Sequence, residues 1–179
     1  KKFFNDAFLM DQQACSSPQA IIWLYSKKSK LIIEKFWTEL TSTVSKSYFT
    51  DLSTTNFKYL SLTDLAISSK INFKRKNSNF DIVRLNAKNI KNSLDDIKCN
   101  FGTFIEININ HIKEIKNFVS KKTQTLSCFG YDSKKIKKLV ISQGFKGIDR
   151  IVPIGRANDM GHIWDGYDII STLSRKISE

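Results

Sequence analysis

The sequence predicts an α/β fold, a mostly parallel sheet covered by helices, and three observations carry that reading. Short apolar runs of strand length recur along the chain, and stretches with helical spacing separate them. After residue 100 they succeed one another as strand–helix–strand–helix–strand, at spacings that imply parallel pairing with right-handed crossovers. The first run, residues 20–25 (Ala-Ile-Ile-Trp-Leu-Tyr), reads as a buried strand, followed by a Ser-Lys-Lys-Ser turn. Residues 30–48 then read as a long amphipathic helix with the stripe Ile32, Phe36, Leu40, Val44 and Tyr48, widened by Ile33 and Trp37. A second, weaker helix is expected over 57–71, on Phe57, Leu60, Leu62, Leu65 and Ile67.

Residues 74–79 read as a polar loop, 81–85 as a short strand, and 86–96 as a connecting loop with some helical turns. From Gly102 the pattern becomes orderly. Residues 104–109 alternate, with Ile105, Ile107 and Ile109 on one side of a strand, and Ile112, Ile115, Phe118 and Val119 then form a helical face. Residues 124–129 read as the next strand. Ile136, Leu139 and Val140 mark a helix that Gly144 stops, and 148–154 read as a third strand with Pro153 near its end.

A composition of 41% hydrophobic residues with thirteen Phe supports a real core and argues against disorder. At 179 residues the sequence amounts to one domain, and its opening, Lys-Lys-Phe-Phe without an initiator Met, suggests a part of a longer protein. No apolar run approaches the roughly 20 residues that span a bilayer, and no signal peptide is visible, so the cytoplasm is the default. The net charge of +12 comes from scattered lysines among abundant Asn, Ile and Ser. The densest groups, residues 70–77 and Lys134, Lys135, Lys137 and Lys138, would attract phosphates or an acidic protein, and the lack of a clustered basic stripe interleaved with aromatic residues counts against nucleic acid. The three cysteines, Cys15, Cys99 and Cys128, are widely spaced and form no CxxC or Cys/His cluster, so no metal site or disulfide framework is expected. There is no GxGxxG and no GxxxxGK[ST].

Two stretches carry chemistry. In Asp11-Gln12-Gln13-Ala14-Cys15-Ser16-Ser17-Pro18-Gln19, small and polar residues place a thiol at the mouth of a strand, after the aromatic lead-in Phe3, Phe4 and Phe8. A thiol in such a turn can be aligned with backbone N–H groups that stabilise thiolate and oxyanion alike, although a lone Cys is more often a small buried hydrophobe. The second stretch runs from Gly147 through Asp149-Arg150-Ile151-Val152-Pro153-Ile154-Gly155-Arg156 to His162-Ile163-Trp164-Asp165-Gly166-Tyr167-Asp168, with a helix start expected near Asp165. It delivers polar and aromatic groups to the C-terminal edge of a strand, where open α/β sheets bind ligands. His162 and Trp164 have equally ordinary readings, as a structural His and a loop anchor.

Together these stretches resemble the C-terminal catalytic part of LuxC-type long-chain acyl-CoA reductases, relatives of the aldehyde dehydrogenases. The Cys15 and Trp164 stretches are the specific part of the resemblance; Gln124-Thr125-Leu126 is consistent with it. The sequence departs from the usual Gly-Gln-x-Cys of the superfamily, having Gln12 where the Gly would stand.

The resemblance implies an aldehyde-dehydrogenase-like catalytic domain over 1–179, with Cys15 as nucleophile. Gln13, Ser16, Pro153, His162 and Trp164 are the expected substrate-binding residues. It further implies NADPH as cofactor, bound mainly by an upstream domain outside this sequence, and a fatty acyl-CoA or an acylated partner protein as substrate. Relatives often pair through this half, which leaves a homo-oligomer open. Two other readings stand beside it: a Cys-dependent thioesterase or acyltransferase, and a basic binding module without enzymatic activity.

Overall fold

A computed structural model describes residues 1–27, 29–68, 73–75, 80–87 and 94–177. The elements in chain order are α1 (Lys2–Phe8), β1 (Ala20–Leu24), α2 (Ser29–Ser47), α3 (Leu52–Ser68), β2 (Phe73–Arg75), β3 (Val83–Ala87), β4 (Thr103–Ile109), β5 (Thr125–Cys128), α4 (Ser133–Ser142), β6 (Arg150–Pro153), β7 (Ile163–Trp164), β8 (Tyr167–Asp168) and α5 (Ile169–Leu173), with 3-10 turns at Leu94–Asp96 and Ile112–Asn117. The fold is α/β, but its strands fall into three small sheets rather than one.

The largest sheet has the order β1-β4-β3-β2. β4 pairs in parallel with β1 and β3, and β2 closes the edge antiparallel to β3. β5 and β6 form a separate parallel pair, and β7 and β8 an antiparallel hairpin. The expectation that the strands after residue 100 share one sheet is therefore corrected: β4 pairs backward with β1 and β3, and only β5 and β6 pair with each other. Residues 74 and 75, expected in a loop, belong to the edge strand Phe73–Arg75, which needs only one partner; 69–71, 76–79 and 88–93, which fall in the expected helix and loops, lie outside the described residues.

β4 occupies a middle position in its sheet and is buried on both faces at every position but Asn108, with Phe104 on one side and Ile105, Ile107 and Ile109 on the other. On one face, Phe104 meets Phe3, Phe8 and Trp37 at ring-centroid distances of 5.5, 6.1 and 5.7 Å. This aromatic cluster also takes in Phe4, Ala7, Ile33, Leu40, Val44 and Ile82. On the other face, Ile105, Ile107 and Ile109 join Leu65, Val83, Leu85, Ile97, Cys99 and Ile115. The 3-10 turn at 112–117 supplies the helical face expected there: Ile115 is buried, and Ile112, Phe118 and Val119 pack against this second cluster. β1, expected to be buried, is a half-exposed edge strand.

The buried face of α2 is Ile33, Trp37, Leu40 and Val44, while Ile32 is 56% exposed. A strict four-residue row advances 400° at each step and so drifts about 40° around a helix of 3.6 residues per turn. Five such positions cannot all face one core, and Ile32 is the one that turns out to solvent. α3 begins earlier than expected, where the Asp51 carboxylate accepts the Thr54 N–H at 2.6 Å. It presents Leu62 and Leu65 inward, while Phe57, Leu60 and Ile67 stay exposed.

Glu106, on the aromatic face of β4, is 1% exposed and takes hydrogen bonds from Trp23 Nε1 (2.9 Å), Trp37 Nε1 (3.0 Å) and Arg84 Nε (2.8 Å). Arg84 completes its fork on Glu34, with both contacts at 3.0 Å, and its guanidinium lies 4.7 Å from the Trp37 ring centroid. A buried carboxylate persists only when paired in this way.

Candidate active site

The Cys15 stretch leaves α1 through two successive residues in the left-handed region, Asp11 (φ 51°) and Gln12 (φ 60°). For side chains with a Cβ this costs roughly 1 kcal/mol or more each. What holds them is visible. Gln12 is fully buried, and its Nε2 donates to Pro18 O and Thr103 O, both at 2.7 Å, while its Oε1 accepts from Gly102 N and Thr103 N at 2.9 and 3.1 Å. All four hydrogen-bonding positions of the amide are used, and they fasten the loop to the start of β4. Tyr48 Oη donates to Asp11 Oδ1 at 2.7 Å, and Gln19 Oε1 accepts from Cys99 N at 2.7 Å. Burial and the Asp11 carboxylate together push the Tyr48 hydroxyl well above the usual phenol range.

Between these anchors a turn closes through Ser17 N to Ala14 O at 2.9 Å, with Cys15 and Ser16 at its centre. Cys15 is exposed. The other two thiols are not equivalent to it: burial pushes Cys99 up to about 12 and raises half-buried Cys128 as well.

The second stretch arrives from the far end of the chain and docks on the first. Asp6 of α1, 1% exposed, accepts Gly155 N at 2.6 Å through Oδ2 and Ala157 N at 2.9 Å through Oδ1. Gly155 has φ 96°, and a Cβ there would sit 2.8 Å from the Lys2 Cβ, so only glycine lets this loop lie against α1. Burial raises the Asp6 carboxyl above its ordinary value, against the pull of the two N–H donors. Beyond the clamp, Asn158 Oδ1 accepts the Ser16 hydroxyl at 2.7 Å and Asn158 Nδ2 donates to Asn5 O at 3.3 Å. Arg150 donates to Ala157 O (3.0 Å) and Asp159 O (2.7 Å), with its guanidinium 4.4 Å from the Trp164 ring centroid. Contacts thus run from Trp164 to Arg150, from Arg150 to the carbonyls of the two residues flanking Asn158, and from Asn158 to the residue beside Cys15.

Of the residues expected from sequence, Cys15 and Ser16 share the turn, and Trp164 is tied to it through Arg150. Gln13 and Pro153 are exposed, the latter closing β6. His162 is exposed just before β7, and its carbonyl accepts Ile169 N at 2.8 Å. Among the described residues no hydrogen bond or ring contact joins the side chains of Gln13, Pro153 or His162 to the Cys15 turn. Phe3, Phe4 and Phe8 belong to the core. The helix expected near Asp165 begins instead at Ile169, capped by Asp168. Asp165 and Gly166, with φ 49° and 81°, make the two-residue turn of the β7–β8 hairpin. Reasoning from sequence missed Asp6, Gln12, Gln19, Arg150 and Asn158. A carboxylate inside Phe3-Phe4-Asn5-Asp6-Ala7-Phe8 was the available signal, since a charge bordering a buried aromatic face needs a partner.

The β5–α4–β6 unit is the one place in the described residues where a strand leads into a helix and back to a parallel strand, the arrangement that cradles dinucleotide phosphates. Its helix start does not fit a pyrophosphate, because the Asp132 carboxylate already accepts Lys134 N at 2.9 Å. Among the described residues no helix is long and apolar enough to cross a membrane.

A family model described as acyl-CoA reductase (LuxC) matches residues 2–176, and the chain belongs to that family. No curated protein matches it.

Proposed function

We propose that this member of the LuxC acyl-CoA reductase family takes a fatty acyl group from coenzyme A, or from an acylated partner protein, onto Cys15 for reduction to the aldehyde. One observation carries the reading: the exposed thiol sits in a turn whose two flanks and far edge are pinned by Gln12, Gln19 and Asn158. The Cys15 thiolate adds to the thioester carbonyl, the carbon–sulfur bond to the donor breaks, and the departing thiolate takes up a proton. Exchanging one thioester for another is nearly neutral, so the protein's task is alignment and stabilisation of the oxyanion, for which the Cys15 backbone N–H is our candidate donor. Gln13, Ser16, Pro153, His162 and Trp164 are the proposed substrate contacts.

NADPH, if held by residues outside this unit, would supply the reducing equivalent for the acyl group, and the role of Cys15 would be to hold that group as a thioester and leave as the thiolate. Because the start of α4 does not fit its phosphates, we assign its binding to a domain upstream of these residues. Residues 1–179 alone are then expected to show no turnover of NADPH. Excluding water keeps the acyl-enzyme from hydrolysing to a fatty acid.

Intact-protein mass tests this on the parent chain mixed with a long-chain acyl-CoA and no NADPH. The expected result is one acyl increment that Cys15→Ala lacks and that NADPH discharges as aldehyde. An increment that decays to fatty acid at one rate with or without NADPH would identify a thioesterase, and full acylation of Cys15→Ala would remove Cys15 from the chemistry.

A further inference from the structure

Resting on the assignment of Cys15 as nucleophile, we infer that Asn158 is a positioning residue for it, and that Asp6 holds Asn158 in place. The Ala14–Ser17 turn is fastened on both sequence flanks, but Ser16, beside the thiol, is fixed from the other end of the chain, through its hydroxyl on Asn158 Oδ1 at 2.7 Å. The orientation of that amide is set. Its Nδ2 is spent on the Asn5 carbonyl at 3.3 Å, which leaves the oxygen to face Ser16. The backbone leading to Asn158 is fixed in turn by the two Asp6 contacts, at 2.6 and 2.9 Å. α1 therefore holds this segment twice, by the Asp6 carboxylate on the backbone of Gly155 and Ala157 and by the Asn5 carbonyl on Asn158 itself, and the turn inherits its placement from an aromatic-packed helix. Ser16 and Asn158 are both half-exposed, so their hydrogen bond contributes little to stability, while a small shift of the thiol is costly for attack on a carbonyl.

Single-turnover acylation of the parent chain tests this, at saturating acyl-CoA and across a concentration series, beside the thermal midpoint of each variant. Asn158→Ala and Ser16→Ala should each slow acyl transfer on the order of 10-fold at saturating acyl-CoA with the midpoint unchanged, and half-saturation should stay unchanged in Asn158→Ala, the variant outside the proposed substrate contacts. The double variant should be no slower than either single one, since both remove the same contact. Asn158→Asp keeps an oxygen for Ser16 but sets its second oxygen against the Asn5 carbonyl, so it should recover the rate only in part, whereas Asp6→Asn, which turns an amide N–H toward backbone donors, should reproduce the Asn158→Ala defect. A wild-type rate in Asn158→Ala would overturn the inference while leaving Cys15 as nucleophile. Rates that fall only in step with the midpoint would overturn it equally. Absence of acyl transfer in the wild type would show at once that the assignment of Cys15 had failed, and the inference with it.

Discussion

The part of the molecule around β4 and the part after residue 123 are held together by different means. Around β4, two apolar clusters fill both faces of a sheet and leave Phe104, Ile105 and Cys99 at 1% exposure or less. Among the described residues after 123, only Ile136 and Ala157 of the apolar ones are buried, and Phe129, Ile141, Met160 and Leu173 are each at least 70% exposed. What fastens the later part near the Cys15 turn is polar: a carboxylate on two backbone N–H groups, an amide on a hydroxyl, and a guanidinium on two carbonyls and an indole. Apolar burial is strong and undirected, whereas hydrogen bonds are individually weaker and fix angles. The nucleophile candidate lies where the directed contacts reach the packed body.

The contrast is sharpest in stability. Phe104→Ala should destabilise by about 3–5 kcal/mol, because it empties the junction of four rings, and guanidinium denaturation would read it. Glu106→Gln should cost about 3 kcal/mol, since Arg84 and two indoles lose a buried anion. Phe129→Ala, at a residue 89% exposed, should stay within about 0.5 kcal/mol. A loss at Phe129 as large as that at Phe104 would break the distinction between the two parts.

The thiols separate the same regions chemically. With its thiol pushed up to about 12 by burial, Cys99 is thiolate to only about one part in 10,000 at pH 8. Iodoacetamide followed by peptide mass should therefore label Cys15 and spare Cys99 in the native protein. Equal labelling of both would mean that the β4 core opens far more readily than its packing implies.

The smallest effect expected is on pH dependence. Burial raises the folded-state value of Asp6 above 3.8, so the folded protein holds that proton more tightly than the unfolded chain. The resulting contribution to stability is fully present below 3.8 and is lost as pH rises through the raised value. The stability of wild type relative to Asp6→Asn should thus decline over that interval in paired urea titrations. A relative gain across it would contradict the burial assigned to Asp6.

Local patterns were legible in the sequence where one physical cause acts alone. Gly144 does end α4: Phe145 N bonds Val140 O at 3.0 Å and Gly144 N bonds Ile141 O at 3.2 Å. The inward row Ile105, Ile107 and Ile109 is likewise as expected. Sheet membership was not legible, because alternation shows which side a residue faces but not which strand lies beside it. The Asp165-Gly166 pair was a readable hairpin signal taken for the approach to a helix. At the site, both stretches could be singled out, but not their meeting. That depends on Asp6 and Asn158, 152 positions apart, and on Gln12, whose four hydrogen bonds stabilise a backbone shape that no spacing encodes.

The most direct test of the central claim is to locate the acyl group. The protein would be acylated from a long-chain acyl-CoA without NADPH, quenched in acid, digested and sequenced by mass spectrometry. The account predicts the acyl mass on the peptide containing Cys15 and on no other. Acyl on Cys128, or on a residue outside the Cys15 turn, would contradict it.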